Sequence, residues 1–562
     1  MPHLFERVGQ PLWQIIQFYW ANAHPPQKRT ASIGLLLLTG FSVLSSSFLV
    51  FESLQRGEFI SALAARAPQR FRTALFIFVG ILLASAIFLS ITTYIRDRLG
   101  LHWRRWLTRY MLTSYLSQQR FYRLSADIDN PDQRMAEDIK QVSQTAVFVL
   151  TTLLESGIQL IGFIGVLWSV SINLTGFLVF YALLGSAIAT FFFGIRLTRI
   201  NAEQLKREAN FRFGLIDIRE NSEAIAFYQG QPYANRDSRQ RFRQVVDNFN
   251  RFIRWQLGLD CFQNGYQYLT FIIPSLILAP QILSGSLEIG SVVQSQAAFD
   301  RIWLSLSLIV VQFEQLTALA AGIDRLSQLI QGLDATDTIA PSIKVLPGPY
   351  VTTENLTLEL PDTHRPLISQ LSFTVEASQT LLITGSSGVG KSSLIKAVAG
   401  LWQTGQGTIH CPPEEVLFLP QQPYLVLGSL RQQLLYPHIT VAPPDQRLLT
   451  LLKAVQLDEF NDLDHVEDWS QRLSTGEQQR LAFARLLLSQ PAYALLDEAT
   501  SALSVSQEQT LYQQLAKTHT TYISIGHRPS LLLYHQQVLT LNKDQSWHLQ
   551  SAKTYQGFVD RE

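Results

Sequence analysis

Cysteine is nearly absent: Cys261 and Cys411 are the only two in 562 residues. They fall in segments of opposite character, one apolar and the other polar, so no disulfide framework is expected and both thiols should be reduced. Charge is scarce as well. Only 16% of residues are Asp, Glu, Lys or Arg, against 47% hydrophobic, and the formal net charge is +1. That small total hides a division. Residues 1–340 hold 30 Lys and Arg against 24 Asp and Glu, a net +6, whereas residues 341–562 hold 15 against 20, a net −5. A nucleic-acid partner wants a basic soluble domain. Here the basic part is the apolar part, so no nucleic acid is expected. No cleavable leader is expected either, since residues 1–30 hold no clean apolar core before a small-residue site.

Long apolar runs are plentiful. Ala31 to Phe51 is almost purely apolar and long enough to cross about 30 Å of hydrocarbon. Further runs cover residues 73–95, 144–170, 174–195 and 256–283. A sixth, 288–320, is weaker and carries Asp300, Arg301 and Glu314. Six spans are therefore expected within a lipid bilayer, forming a membrane domain over 31–325. Before them, Leu12, Trp13, Ile15, Ile16, Tyr19 and Trp20 give 10–22 an amphipathic stripe, which suggests an interfacial helix in region 1–30. The loops 96–143 and 196–255 carry nine and twelve Lys and Arg, and the turns near 171–173 and 284–287 carry none. The bias puts both long loops and both termini in the cytoplasm, in a cell (inner or plasma) membrane. Those loops are too long for turns. Helical patterns over Asn201–Arg219 and Arg236–Leu257 imply that the membrane helices continue out of the bilayer. Asn130-Pro131 reads as a turn, with Asp132 as a helix N-cap. Glu155, Asp260 and the Asp300-Arg301 pair are ionisable residues at membrane depth, which usually face a bundle interior or water.

The acidic part carries the chemistry. Residues Gly385-Ser386-Ser387-Gly388-Val389-Gly390-Lys391-Ser392 form a complete GxxxxGK[ST] loop. An apolar run leads into it, and a helical pattern from Ser393 to Ala399 comes after. Glycines let backbone N–H groups turn onto phosphates, and the helix N-terminus adds partial positive charge. Lys391 would reach the β- and γ-phosphates, and Ser392 would ligate Mg²⁺. Farther on, Tyr493-Ala494-Leu495-Leu496-Asp497-Glu498 is an apolar strand ending in two carboxylates. Asp497 suits a metal site, and Glu498 can orient or deprotonate a water.

Over roughly 345–550 the chain resembles an ABC-transporter nucleotide-binding domain, because six motifs occur in the family's order. Gly385–Ser392, with Ser393, is similar to the Walker A loop. Gln421, in Leu419-Pro420-Gln421-Gln422-Pro423, resembles the Q-loop glutamine that contacts Mg²⁺ and water. Ser474-Thr475-Gly476-Glu477-Gln478 resembles the signature, with Thr475 in place of its first glycine. Asp497 and Glu498 resemble the Walker B ligand and catalytic carboxylate. Ser501-Ala502-Leu503-Ser504 resembles the D-loop, with Ser504 in place of Asp. His527 resembles the switch histidine. The resemblance implies ATP and Mg²⁺ as cofactors, with Ser392, Gln421 and Asp497 at the metal and Glu498, His527 and Gln421 at the hydrolytic centre. It implies Ser474, Thr475, Gly476 and Glu477 on the partner's ATP. The adenine-stacking aromatic of the family is replaced here by Leu360.

Two loops extend the resemblance to most of the chain. Asp129 to Asp138 and Glu220 to Gly230 are similar to segments of the D-subfamily, the peroxisomal fatty-acyl-CoA transporters and their bacterial relatives for peptides and cobalamin. The fold this implies is a six-helix transmembrane domain of the exporter type, a linker over 326–344, and an α/β P-loop nucleotide-binding domain over 345–562. The family's phosphate loop and signature meet on one ATP only across two chains, so a second half-transporter chain is expected, by default in a homodimer. The function implied is ATP-driven alternating access for an amphipathic or hydrophilic solute of fatty-acyl, peptide or vitamin-like type. A nucleotide-gated channel or receptor built on the same module is the alternative reading.

Overall fold

In the computed structural model, residues 17–124, 128–338, 342–361, 363–412, 416–437 and 443–555 are described. The chain forms two compact units that divide after Thr338.

The first unit is all helix. Five helices are long and apolar enough to cross a membrane: Pro25–Ala64, Pro68–Arg123, Pro131–Val170, Ile172–Glu220 and Gln231–Leu283. Each outruns its apolar stretch, as the polar helical patterns of the long loops predicted. The sixth expected span is instead two helices, Gly290–Val311 and Phe313–Thr338. Neither meets the same measure of length and apolarity, so five spans rather than six are found among the described residues. Gln294, Gln296, Asp300 and Arg301 in the first helix and Glu314 in the second interrupt the apolar run.

Proline opens three of these helices, at Pro25, Pro68 and Pro131. Its fixed φ suits the first helical position, where an N–H would be orphaned in any case. This corrects the expected cap. Pro131 takes the first helical position, so Asn130, at φ 44°, is the cap residue and Asp132 lies inside the first turn. The same loop is tied down by charge. Arg134 is buried and donates to the Asp129 carboxylate at 2.5 Å and to the Arg325 carbonyl at 2.8 Å. Arg325 in turn grips buried Asp138 with two donors at 2.6 Å.

Serines line the inner face of Pro25–Ala64. Ser42, Ser45, Ser46, Ser53, Gly57 and Ser61 are its buried polar and small positions. They let neighbouring backbones approach, which is how membrane helices gain contact without a hydrophobic drive. A Cβ added to Gly290 would lie 2.1 Å from the Gly57 carbonyl oxygen. Ser42 donates to Glu155 at 3.3 Å, so a hydroxyl faces this mid-span carboxyl. Most of the expected interfacial stripe, residues 10–16, lies outside the described residues. The aromatics just beyond it pack on protein: Phe18 meets Tyr110 edge-on at 4.9 Å, and Tyr19 meets Trp106 at 4.8 Å. Residues 326–338, expected as linker, continue the last helix, because Leu326, Leu329 and Leu333 are buried with Leu107 and Met111.

The second unit is α/β. Strands β1 (Ile343–Pro347), β2 (Val351–Glu359), β3 (Pro366–Val375) and β5 (Gly405–Cys411) make a four-stranded sheet in the order β1-β5-β2-β3. The larger sheet uses β4 (Thr380–Gly385), β6 (Val416–Leu419), β9 (Tyr493–Asp497), β10 (Thr521–Ile525), β11 (Gln537–Leu541) and β12 (Trp547–Ser551). Its order is β12-β11-β4-β10-β9-β6. A two-stranded pair, β7 (Gly428–Ser429) with β8 (Val466–Glu467), stands apart. From β11 to β6 all pairings in the large sheet are parallel. Parallel strands covered on both faces read as continuous apolar runs, and β4 and β10 are buried at every position. Alternate side chains serve two cores. Leu382, Ala494, Leu496 and Tyr522 join one cluster with Phe483 and Leu486. Leu381, Ile383, Leu495 and Ile523 join the other with Leu394 and Val398.

Candidate nucleotide site

Strands β4, β10 and β9 lie side by side and parallel, so their carboxyl ends open on one edge, where ligands of such sheets bind. Three predicted motifs start there. The phosphate loop comes after β4, Glu498 after β9, and His527 lies two residues beyond β10.

The loop conformation depends on glycine at particular places. Gly388 and Gly390 have φ of 81° and 99°, a region costly for other residues. At Gly385 a Cβ would sit 2.3 Å from the Leu541 carbonyl oxygen, so the crossing from strand to loop admits no side chain. Lys391 begins the helix Lys391–Val398 and is buried. Its Nζ donates to the Gly385 carbonyl at 3.0 Å and to the Ser386 carbonyl at 2.9 Å. The ammonium is thereby held within the loop it closes.

Carboxylates and their partners meet opposite. Ser392 Oγ donates to Asp497 Oδ1 at 3.0 Å. Burial pushes the Asp497 carboxyl up from the ordinary aspartate range, against the pull of that hydroxyl. Glu498 receives two partners: Gln421 Nε2 at 3.0 Å and His527 Nε2 at 3.3 Å. Its own φ is 48°, an uncommon conformation for a residue with a side chain. The strand end thus turns sharply and presents the carboxylate to both loops. Beside the phosphate loop lies a polar cavity of about 450 Å³, whose walls include Ser387, Gly388, Arg365 and Lys543. Its apolar wall is Pro366, Leu367 and Val389. Leu360, expected in place of an adenine-stacking aromatic, is not among them.

The signature stands elsewhere. Ser474 caps the helix Thr475–Ser489, and Glu477 Oε2 closes the capping box on the Ser474 N–H at 2.8 Å and hydroxyl at 2.6 Å. The Ser474 hydrogen bonds hold the Glu477 carboxyl below its usual range. Thr475 is exposed in the first turn. A Cβ on Gly476 would press on the Ala502 carbonyl oxygen at 3.3 Å, so the D-loop lies across this turn. Among the described residues, Ser474, Thr475, Gly476 and Glu477 make no hydrogen bond to Ser392, Asp497 or Glu498.

Both parts of the chain match known families. Residues 22–283 match ABC transporter transmembrane region 2, and residues 368–501 match ABC transporter. An uncharacterized ABC transporter ATP-binding protein of Synechocystis is 40% identical over 92% of this chain and 80% of its own length. ABC transporter D family member 2, chloroplastic, of Arabidopsis thaliana is 36% identical over 99% of this chain and 89% of its own. The chain belongs to the ABC transporters. A lysosomal cobalamin transporter of Homo sapiens is also similar, at 30% identity over 92% of both chains. With one membrane domain and one nucleotide domain, the transporter is a half-transporter: a multi-pass membrane protein that uses ATP and couples its hydrolysis to transport. The D-family resemblance read from its motifs holds, and nothing favours a channel or receptor.

One residue of the site escaped the motif reading. Gln479, just past the signature, is buried. Its Nε2 donates to the Gln421 carbonyl at 3.0 Å and to Ser501 Oγ at 3.2 Å, and its Oε1 accepts from the Ala502 N–H at 3.0 Å. A single amide thus joins the signature helix, the Q-loop and the D-loop. A glutamine on the inner side of a helix that continues with Leu481, Ala482 and Phe483 was the available signal. Gln479→Ala should lower the hydrolysis rate about tenfold, a loss of ~1.4 kcal/mol, with ATP affinity within about threefold of wild type. Phosphate release and nucleotide titration on one purified sample check both.

Proposed function

We propose that Glu498 is the catalytic carboxylate of this ATPase. Gln421 and His527 orient it, and Lys391 and the loop Gly385–Ser393 hold the nucleotide phosphates. The observation that carries this is the convergence of Gln421 and His527 on Glu498 at 3.0 and 3.3 Å, beside the Ser392–Asp497 pair. A carboxylate between two such partners is fixed in direction and can take a proton from an attacking water. The loop N–H groups and Lys391 offset the charge of the phosphates.

Ser392, Asp497 and Gln421 fit Mg²⁺. They supply hard oxygen donors, and Ser392 Oγ and Asp497 Oδ1 already meet at 3.0 Å. No three His, Cys, Asp or Glu side chains converge among the described residues, which suits an ion that arrives with phosphates and keeps waters. When bound, the ion would polarise the terminal phosphates.

Membership of the ABC half-transporters supports a dimer, by default a homodimer. Ser474, Thr475, Gly476 and Glu477 of each copy complete the ATP site of the other. Closure on ATP and opening after hydrolysis drive alternating access. The bias of basic residues toward the long loops supports a topology with both termini on the cytoplasmic side of a cell membrane.

The helix Ser222–Phe227 and Gly230 couple ATP use to solute movement. Phe227 and Tyr228 are 79% and 87% exposed, an unusual display of aromatic surface in a long polar loop. A Cβ on Gly230 would make only ordinary contact, 3.6 Å from the Ile225 carbonyl oxygen. An added Cβ there does not clash within the loop. Gly230→Phe and Glu223→Ala should therefore lower transport per ATP several-fold while leaving folded yield unchanged. A normal ratio in reconstituted protein would refute coupling.

The solute is amphipathic or hydrophilic, of fatty-acyl, peptide or vitamin-like type. The name of the human relative supports the last class for that protein. Uptake into inverted vesicles, comparing an acyl-CoA, an oligopeptide and cobalamin, tests this. ATP-dependent accumulation of one is expected, and accumulation of none refutes the solute class.

A further inference from the structure

Inside the first unit lies a cavity of about 150 Å³. Tyr19, Ala31, Leu99, His102, Trp103 and Val147 are among the residues that line it. Two of the helices that line it carry basic residues at this place. Lys28 and Arg29 lie a turn before Ala31, Arg96 and Arg98 just before Leu99, and Arg104 and Arg105 directly after Trp103. Arg96 also stands 5.4 Å over the ring of Phe148, next to Val147. The cavity is therefore at the level where hydrocarbon gives way to charged headgroups. It is not sealed: Leu150, which also lines it, is 50% exposed.

Few of the residues that line it are polar, and one of them, Trp103, carries an unsatisfied donor. The Tyr19 hydroxyl donates to the Gln27 carbonyl at 3.1 Å and lies 3.3 Å from His102 Nε2. Trp103 Nε1 is buried and has no hydrogen-bond partner among the described residues. A buried donor left unpaired is costly, and such groups are rare. Tyr19, His102 and Trp103 carry the polar atoms of these walls, and the rest of the lining is aliphatic or aromatic carbon that favours a hydrocarbon occupant. An apolar cavity of this size stays dry and takes small hydrocarbon ligands. A chain segment with an acceptor oxygen near it suits both features.

We propose that this cavity is a resident lipid site. It takes part of one acyl chain of a bilayer glycerophospholipid, whose ester or phosphate oxygen accepts from Trp103 Nε1–H while nearby arginines meet the headgroup. Nothing in the ATP chemistry uses these residues.

The full-length protein, reconstituted separately in phosphatidylglycerol and phosphatidylcholine vesicles doped with a diazirine-acyl analogue of the same lipid, tests the site by photolabelling and peptide mapping. Label is expected on peptides containing Leu99, Trp103 or Leu150 in at least one vesicle type, above that on peptides around Leu83, which is exposed but lines no such cavity. Ala146→Phe, which fills the cavity, should remove that excess. Trp103→Phe, which keeps the ring and loses the donor, should lower it several-fold. The excess should persist during ATP turnover. No excess in the wild type, or unchanged labelling in both variants, overturns the proposal. Unchanged labelling in Trp103→Phe alone overturns the role of its N–H. Label that disappears under turnover also overturns it, since the occupant would then be a transported amphiphile.

Discussion

Glu498→Gln is expected to reduce ATP hydrolysis by about a hundredfold to ten-thousandfold, the range attributed to a positioned general base, with nucleotide affinity near that of wild type. The substitution keeps the shape of the side chain and removes its ability to accept a proton. Gln421 Nε2 donates to Glu498 Oε2 in the native site. The amide oxygen of the variant can accept the same hydrogen bond, so the Q-loop need not move. Asp497, with its Ser392 partner, is untouched. Binding and hydrolysis should therefore separate cleanly, and ATP should accumulate between closed chains. Phosphate release measured beside nucleotide titration decides the point, and cross-linking reports the trapped dimer. A variant that hydrolyses ATP at the wild-type rate would remove Glu498 from the role and leave the Gln421 and His527 contacts without a catalytic reading.

Motifs and periodicity made this site legible to different depths. The phosphate loop was complete in sequence, because its geometry depends on positions that only glycine can fill; the Gly385 crossing against Leu541 shows why. The carboxylate pair was legible because β9 is buried until its last residue and then turns. Gln479 was not legible as a site residue. Its importance lies in three partners spread over Gln421, Ser501 and Ala502, and no local pattern announces contacts of that span. Leu360 lies in the turn between β2 and β3, and Pro366 and Leu367, at the far end of that turn, wall the cavity beside the phosphate loop. In the membrane unit, hydropathy found the first five spans. In the sixth run Asp300 and Arg301 interrupt the apolar sequence, and two helices, Gly290–Val311 and Phe313–Thr338, occupy it. Past residue 325, Leu326, Leu329 and Leu333 repeat at helical spacing and are buried, and the helix runs on to Thr338.

Lys391→Ala should abolish tight ATP binding. Its ammonium is buried in the loop and held by the Gly385 and Ser386 carbonyls at 3.0 and 2.9 Å. Hydrogen bonds from a charged donor contribute about 1.5–3 kcal/mol each. Losing two such contacts to phosphate oxygens would weaken binding by at least about a hundredfold. The same change removes the tether between the helix start and the loop carbonyls, so loop disorder and lost charge must be told apart. Thermal unfolding does this. Ligand that binds only the folded state stabilises it by about 2.7 kcal/mol at a hundredfold excess over Kd. The wild type should show an ATP-dependent rise in melting temperature. The variant should melt close to the nucleotide-free wild type and show no rise at the same ATP concentration. If the variant melted far lower without nucleotide, the tether would be the larger contribution. If it kept the full ATP-dependent rise, Lys391 would not hold the phosphates, and the cations at the neighbouring cavity, Arg365 and Lys543, would be the groups to test next.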